Sequence, residues 1–193
     1  METMTLLRHG ETEWSRDGRH TGRTDVPLTA RGQGQARALA PLVEGREFEL
    51  ALVSPARRAR ETAELAGLAR YEVEPDLWEW DYGGYEGITT RRIRETRPGW
   101  YLWRDGVVPG DADHPGESIA QVGERADKVI ARARATDGAV AVVAHGHMLR
   151  VLAARWLGLP PKDGRLFRLD TGTFSELGYE HDIPVILHWN SRV

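Results

Sequence analysis

The chain has 193 residues, 40% of them hydrophobic and 28% charged, a length and composition that suit one globular domain with a full core. The absence of cysteine excludes disulfides, thiolate metal sites and thiol catalysis, and it makes a cytoplasmic location the expectation. The 26 basic and 29 acidic residues give a net charge of -3, which argues against nucleic acid as a partner, and no apolar run approaches the roughly 18 residues of a membrane span.

The first part of the chain alternates apolar runs with helical patterns. Met4 to Leu7 predicts a buried strand, and the polar stretch from Glu11 to Pro27 predicts a long functional loop. A helix is predicted over Ala30 to Val43 with Thr29 as its N-cap, followed by a short buried strand over Leu50 to Val53.

The next predicted helix, Ala56 to Leu68, carries three arginines in its first turns, Arg57, Arg58 and Arg60. Arginines at a helix N-terminus oppose the helix dipole and repel one another unless an anion compensates them. Two of the three can point into solvent at little cost. We therefore expect one of them to face inward.

The rest of the chain continues the alternation. Further strands are predicted over 71–73, 139–144, 166–169, 173–178 and 185–187, and further helices over 89–97, 119–135 and 148–157. The last two strands are expected to pair as an antiparallel edge. The pattern predicts an α/β fold, a three-layer α/β/α sandwich with a mostly parallel central sheet and one antiparallel edge strand. We expect a single domain over 1–193, with a substrate-covering subregion over about 76–117.

Two of the predicted buried strands end at a histidine followed by a glycine, His9-Gly10 and His145-Gly146. Neighbouring parallel strands have their carboxyl ends at one edge of the sheet, where ligands bind, so these histidines are expected to converge. A third strand end, at Ser54, brings the arginines of the following helix. Such a cationic pocket suits a dianion, and the arginine fork favours phosphate over a simple carboxylate.

Motifs in five segments occur in a recognisable order: Leu7-Arg8-His9-Gly10-Glu11-Thr12, 18–29, 54–63, 77–87 and 144–146. Together they resemble the histidine phosphatase superfamily, the phosphoglycerate mutase-like proteins with an RHG motif, over nearly the whole chain. The segment Glu79 to Gly83, the turn at 103–106 and the stretch 144–147 with Arg150 look like the subgroup that contains acid phosphatases and sedoheptulose bisphosphatases.

The resemblance implies catalytic roles. His9 would attack phosphorus through one ring nitrogen while a backbone carbonyl holds the N–H of the other nitrogen. Arg8, Arg58 and His145 would bind the phosphoryl oxygens and neutralise charge in the transition state. Glu79 would protonate the leaving alkoxide and then take a proton from water, and its neighbours Trp78 and Trp80 are expected to surround it with apolar groups.

The resemblance also implies contacts to the substrate. Ser15 stands where the family usually has Asn, and its hydroxyl is still able to donate to phosphate. A distal anionic group would be met by Arg23, Arg104 or Arg150. The expected substrate-binding residues are Ser15, Thr21, Gly22, Arg23, Tyr82, Gly146, His147 and Arg150.

Several residues have alternative interpretations. Glu86 is a second acid in the loop of Glu79 and is the alternative proton donor. His147 is also typical of a residue that begins a helix and supports the site. Trp100 and Trp103 are expected to form a small hydrophobic cluster under a lid. The remaining histidines are expected to be surface or structural residues: His20, His114, His181 and His188.

The favoured function is a phosphatase that hydrolyses phosphomonoesters, sugar phosphates or bisphosphates, through phosphohistidine. A cofactor-dependent phosphoglycerate mutase is the alternative within the family, but the span from Trp80 to Ser118 is short for a mutase that must keep its intermediate dry. A metal-dependent hydrolase using His9, His145 and His147, or a non-catalytic phosphate-binding protein, are alternatives from other classes.

We expect no cofactor and no metal, and a small-molecule phosphate ester as the partner. We expect no contact with nucleic acid or membrane and no signal peptide before the first strand. A homodimer is left open.

Overall fold

The computed structural model describes residues 2–193. Its strands are β1 (Met4–Arg8), β2 (Leu50–Val53), β3 (Glu72–Val73), β4 (Val140–Ala144), β5 (Phe174–Glu180) and β6 (Ile183–Ser191). Within the described chain they form one sheet in the order β3-β2-β4-β1-β5-β6. Strands β1 to β4 are parallel, while β5 runs antiparallel to both of its neighbours, β1 and β6. The predicted α/β sandwich with a mostly parallel sheet is confirmed.

Helices cover both faces of this sheet. They are α1 (Glu13–Asp17), α2 (Ala30–Ala38), α3 (Ala40–Val43), α4 (Arg57–Leu65), α5 (Thr90–Thr96), α6 (Leu102–Asp105), α7 (Ile119–Arg134) and α8 (Gly146–Trp156). Because strand side chains alternate between the two faces, Leu7 and Val143 pack with α3 and α4, whereas Leu6 and Val142 pack with α7 and α8. Strand β4, between β1 and β2, is buried along its whole length.

The parallel register brings the ends of the central strands together. Arg8 lies opposite Ala144 in the β1–β4 pair, so the residues that follow, His9 and His145, leave the sheet side by side. The His9 backbone N–H donates to the Ala144 carbonyl at 3.0 Å. The predicted convergence of the two strand ends is confirmed.

Most predicted elements have the expected type, with three differences. The helix predicted over 30–43 breaks at Leu39, because Pro41 lacks an N–H to continue it. The loop predicted over 11–27 contains α1, which begins with a capping box between Thr12 and Ser15.

The strand predicted over 166–169 is wrong. Pro161–Leu166 is a 3-10 turn, and the segment after it runs without regular structure until β5. Side chains occupy the carbonyls that a strand would need, since Trp189 Nε1 donates to the Arg168 carbonyl and Arg8 Nη1 to that of Leu169. Across residues 2–193, no helix combines the length and the apolar character of a membrane span.

Candidate active site

His9 occupies the end of β1 with only 5% of its surface exposed. Its Nδ1 lies 2.7 Å from the Gly10 carbonyl oxygen, which only accepts, so Nδ1 carries the proton and Nε2 the lone pair. Burial, followed by the charges of Arg58 and Arg8, holds the pKa of His9 well below its usual range. A neutral imidazole with a free, unprotonated Nε2 is the form that acts as a nucleophile.

Gly10 lets the chain turn against helix α2. A Cβ on Gly10 would lie 2.2 Å from the Gly32 carbonyl oxygen, a distance that no side chain tolerates. The Gly10 N–H donates to Thr62 Oγ1 at 3.1 Å, and that hydroxyl donates to the Arg58 carbonyl at 2.7 Å. The carbonyl that fixes the tautomer of His9 is therefore held by close backbone packing.

Arg58 is the inward-facing arginine of α4, and it is completely buried. Its guanidinium donates to the carbonyls of Thr24 and Gly22, each at 2.9 Å, and its Nε donates to His145 Nδ1 at 3.2 Å. The prediction that one of the three arginines faces inward is confirmed.

His145 stands beside His9 with its ring centroid 5.1 Å away, edge to face. Burial, then the charges of Arg58 and His9, lower its pKa well below the ordinary value. Because its Nδ1 accepts from Arg58, its Nε2–H donates to Ser54 Oγ at 2.6 Å. Both ring nitrogens are thus occupied, and His145 lies behind His9 instead of on the cavity surface.

Glu86 orders the loop that holds Arg58. Its carboxylate accepts the backbone N–H groups of Gly22, at 2.9 and 3.0 Å, and of Thr24, at 3.2 Å. These bonds point the carbonyls of the same two residues toward Arg58. Glu86 has a structural task and does not line the main cavity, which disfavours it as the proton donor.

Arg8 projects into the cavity from the end of β1. Its Nη1 donates to the Leu169 carbonyl, and its buried Nε has no hydrogen-bond partner in the described chain. Burial lowers its pKa, and the nearby Glu79 carboxylate acts against that effect. Gly146 packs on the guanidinium, where a Cβ would lie 3.1 Å from Cζ. An unpaired buried donor of this kind is ready to bind an anion.

Glu79 lies next to Arg8, 5% exposed, at the N-terminus of α8. Its Oε1 accepts the N–H groups of Met148 at 2.8 Å and Trp80 at 2.9 Å, and its Oε2 accepts that of His147 at 3.0 Å. The helix dipole also favours a carboxylate here. Oε2, with a single hydrogen bond, keeps a lone pair for proton exchange.

An ion pair between Arg125 of α7 and Glu117, which precedes that helix, holds the backbone of the Glu79 segment. Arg125 donates to Glu117 at 2.8 and 2.9 Å and to the carbonyls of Asp76 and Trp78 at 2.7 Å each. The Glu117 carboxylate in turn accepts the Asp81 N–H at 2.9 Å. We call Arg125 and Glu117 the α7 clamp, since they fix the chain on both sides of Glu79.

These groups open onto a cavity of about 440 Å³. Arg8, His9 and Glu79 are among its lining residues, and we call these three the floor; the aromatic and histidine residues of the lining we call the wall. The lining comprises Arg8, His9, Ser15, Gly18, Arg19, His20, Thr21, Glu79, Tyr82, Thr90, Arg94, Trp100, Tyr101, Leu102, Trp103, Gly146, His147, Arg150 and Leu169.

Six of the eight expected substrate-binding residues line this cavity: Ser15, Thr21, Tyr82, Gly146, His147 and Arg150. The Ser15 hydroxyl already donates to the Thr12 carbonyl at 3.0 Å as part of the α1 cap. Gly22 and Arg23 are absent from the lining. The Gly22 N–H binds Glu86, and Arg23 Nε lies 3.4 Å from Asp81 Oδ2.

Of the three arginines expected to bind a distal anionic group of the substrate, only one lines this cavity. Arg150 lines the cavity and stacks over Trp103, with Cζ 4.7 Å from the ring centroid. Arg104 lies outside it, because its guanidinium pairs with Asp105 at 2.7 Å. Sequence reasoning missed Arg19 and Arg94, which do line it.

His20 was expected to be a surface or structural residue, an interpretation that omitted its place on the cavity wall. Its backbone N–H and Nδ1–H both donate to the Ile88 carbonyl, 68 positions further along the chain. No local pattern reveals such a contact. His114 does have a structural position, bonded to Asp111 at 3.1 Å and Thr24 at 3.3 Å.

Trp100 and Trp103 are both buried, 2% and 6% exposed, but they belong to the large hydrophobic core cluster and not to the small separate cluster that was expected. They also line the cavity. The metal-ligand set considered from the sequence, His9, His145 and His147, is not assembled, and residues 2–193 contain no group of three histidine, aspartate or glutamate side chains arranged to hold a metal ion.

The fold and the site together define an α/β protein with a cavity lined by histidine and arginine side chains at the carboxyl edge of its sheet. A family model described as the histidine phosphatase superfamily (branch 1) matches residues 4–192, and the chain belongs to this family.

The chain is similar in sequence to named proteins from bacteria and from a fungus. The chain is 44% identical over 184 residues to an acid phosphatase of Mycobacterium tuberculosis, covering 93% of this chain and 88% of that protein. It is 38% identical over 189 residues to a sedoheptulose 1,7-bisphosphatase of Saccharomyces cerevisiae, covering 80% and 67%. A solved structure of a Mycobacterium tuberculosis open reading frame product superposes with a TM-score of 0.91 at 41% identity, covering 99% and 98%.

Proposed function

We propose that this protein is a phosphatase that hydrolyses phosphomonoesters through a phosphohistidine intermediate on His9, with Glu79 as the proton donor. The observation that carries the proposal is the floor of the cavity, where His9 with an unprotonated Nε2, Arg8 with an unpartnered Nε, and Glu79 line the same space. Relatives named acid phosphatase and sedoheptulose 1,7-bisphosphatase support it.

In the first step, His9 Nε2 forms a bond to phosphorus while the bond from phosphorus to the ester oxygen breaks. Glu79 is a carboxylate in the empty site; it takes up a proton as the anionic ester binds beside it, and Oε2 gives that proton to the leaving alkoxide, so that the alcohol departs neutral. The Nδ1–H bond to Gly10 persists and stabilises the imidazolium that forms on phosphorylation.

In the second step, water attacks phosphorus and the N–P bond breaks, which releases inorganic phosphate and restores His9. The Glu79 carboxylate takes the proton of that water and returns to the acid form. One carboxyl thus serves both half-reactions, and general acid–base catalysis of this kind contributes roughly a hundred- to ten-thousand-fold to the rate.

Arg8, Arg58 and His145 neutralise the charge that passes through the transition state. Arg8 contacts the phosphoryl oxygens directly from the floor. Arg58 and His145 stand behind His9 and hydrogen bond to each other, so their contribution in the empty site is positive potential. A bound dianion offers both of them an acceptor in exchange for their present partners.

Sugar phosphates and bisphosphates are the proposed substrates. Arg19, Arg94 and Arg150 line the cavity, and none of them has a carboxylate within 4 Å in the part of the chain that the structure describes. These three charges suit a second anionic group on the substrate. Much of the remaining wall comes from 76–117, which supports the role of this region as a substrate cover.

The test is turnover of p-nitrophenyl phosphate and of a panel of sugar phosphates by the wild type and by H9A. We expect release of inorganic phosphate by the wild type and none by H9A, with EDTA without effect. Transfer of phosphate between positions of a phosphoglycerate without net hydrolysis would instead identify a mutase. Loss of activity in EDTA would identify a metal-dependent hydrolase.

A further inference from the structure

His20 presents an unused hydrogen-bond acceptor to the cavity. Its Nδ1 lies 2.6 Å from the Ile88 carbonyl oxygen, so the proton of the neutral ring is on Nδ1 and Nε2 carries a lone pair. Nε2 makes no hydrogen bond to any described residue and is not among the buried unpartnered atoms, so it remains accessible on a cavity-lining side chain. Burial keeps the pKa of His20 below its ordinary value, which preserves this neutral form.

His147 presents a second free ring nitrogen on the same wall. Its Nδ1 lies 2.6 Å from the Tyr82 hydroxyl, and its Nε2 is likewise accessible and unpaired within the described chain. Burial raises the pKa of Tyr82 and lowers that of His147, so both are neutral and the hydrogen bond between them runs in either direction. Nε2 of His147 is accordingly a donor in one arrangement and an acceptor in the other.

The two histidines are set in an aromatic wall. The His20 ring lies 4.9 Å from that of Tyr82 and 5.6 Å from that of Trp100, and the His147 ring lies 5.3 Å from that of Trp103. The backbone N–H of His147 binds the Glu79 carboxylate, so this wall starts at the floor. Apolar ring faces with a few fixed polar atoms are typical of sites that recognise one class of small molecule.

We propose that His20 and His147 bind hydroxyl groups of the esterified alcohol, so that the enzyme selects phosphates of sugars and polyols over phosphates of apolar alcohols of the same length. A hydroxyl both donates and accepts, which satisfies the fixed acceptor of His20 and the reversible nitrogen of His147. An apolar chain in the same place would leave His20 Nε2 desolvated and unpaired, a penalty that a site built for a hydroxyl imposes on the analogue lacking it.

This inference rests on the proposed phosphatase function, but it concerns groups that the proposed chemistry does not use. It also differs from the attraction of Arg19, Arg94 and Arg150 for a second anion. A monophosphate of a sugar and a monophosphate of an alkane carry the same charge, so the arginines do not discriminate between them.

The test compares kcat/KM for ribose 5-phosphate and n-pentyl phosphate, which share a five-carbon chain and differ in their oxygen atoms. We expect the wild type to prefer ribose 5-phosphate by about tenfold or more, which is about 1.4 kcal/mol and lies within the cost of leaving a buried acceptor without a hydrogen bond. H20N keeps an N–H group near the Ile88 carbonyl but has no atom at the position of Nε2. It should lose about tenfold of this preference.

H20Q is the matched variant, because its amide reaches the position of Nε2, and it should restore most of the preference. H188N, on the exposed face of β6, is the control and should behave as the wild type. Equal values of kcat/KM for the two substrates in the wild type, or an unchanged ratio in H20N, would overturn the inference while leaving the phosphatase intact. Absence of hydrolysis of either substrate would instead remove the proposed function itself.

Discussion

The two ring nitrogens of His9 have different surroundings. Nδ1 is hydrogen bonded to the Gly10 carbonyl, whereas Nε2 has no hydrogen bond to the described chain and belongs to a side chain that lines the cavity with Arg8 and Glu79. A histidine in water has neither a fixed tautomer nor two cations beside it, and both differences favour attack on an anionic phosphoryl group. Glu79 is fixed as firmly, by three backbone N–H groups.

The role of Glu79 predicts a separation of the two half-reactions in E79Q. p-Nitrophenolate leaves without protonation, so E79Q should still release a burst of p-nitrophenol and form phosphoenzyme. Hydrolysis of that phosphoenzyme, and attack on ribose 5-phosphate, should both slow by about a hundredfold or more, because each needs the carboxyl. Rapid-mixing kinetics measure the burst and the steady state separately. Equal loss of both phases with p-nitrophenyl phosphate would show that Glu79 acts otherwise.

At the scale of elements, helix α2 supports the nucleophile through a close backbone contact. A Cβ on Gly32 would lie 2.1 Å from the Glu11 carbonyl oxygen, whereas a Cβ on Gly34 would meet nothing within 4 Å. G32A should therefore push the segment after His9 away and lower both the stability and kcat. G34A, two residues further along the same helix, should stabilise the protein by about 0.5–1 kcal/mol through helix propensity.

Urea unfolding and steady-state kinetics of G32A and G34A measure this contrast. Because both glycines lie in α2, an effect of helix propensity alone would shift the free energy of unfolding of the two variants in the same direction. That result would contradict a specific role for the contact between Gly32 and Glu11.

The α7 clamp gives the second prediction at this scale. R125A leaves Glu117 without its partner and frees the carbonyls around Glu79, so it should lower the free energy of unfolding by about 3 kcal/mol and lower kcat more than it raises KM. R125K should recover part of kcat. R92A breaks the exposed pair with Glu95 and should change the stability by less than about 0.5 kcal/mol. Unchanged kcat in R125A would show that the clamp does not position Glu79.

Local patterns predicted most elements because the apolar runs of β1, β2 and β4 are continuous and the caps of α2 and α7 are explicit. They also predicted that one arginine of α4 faces inward. Local patterns could not show which arginines near the site lack an acidic partner. Arg23 and Arg104 have acidic partners, Asp81 and Asp105, that remove them from the cavity.

The position of His20 on the cavity wall could not be predicted from the sequence for a different reason. Its ring is held by a carbonyl of a distant segment, and its neighbours on the wall, Tyr82 and Trp100, come from residues 76–117. The sequence order of these residues contains no signal of their contact, because only the folded loops bring them together.

At the scale of the whole molecule, the burial of His9, His145 and His147 couples the site to stability. Their pKa values in the folded protein lie well below the value of 6.5 expected in the unfolded chain. Below pH 6.5 the unfolded chain takes up protons that the folded chain does not, so stability is highest above that pH and falls as the pH decreases.

Urea unfolding between pH 7.5 and 5 measures this dependence. The free energy of unfolding should fall below pH 6.5 by up to about 1.4 kcal/mol per pH unit for each histidine. H147Q removes one of these histidines and should reduce the slope. A free energy of unfolding that stays constant or rises as the pH falls from 6.5 to 5 would mean that these histidines are not neutral in the folded protein.

The fold brings strand ends from distant parts of the chain to one cavity, where we propose that His9 takes the phosphoryl group. The most direct measurement is rapid acid-free quenching with a ³²P-labelled substrate, followed by peptide mapping. We predict a label on His9 that is stable to alkali and labile to acid, as an N–P bond is, and no label in H9A. A label on another side chain, or turnover in H9A, would contradict the account.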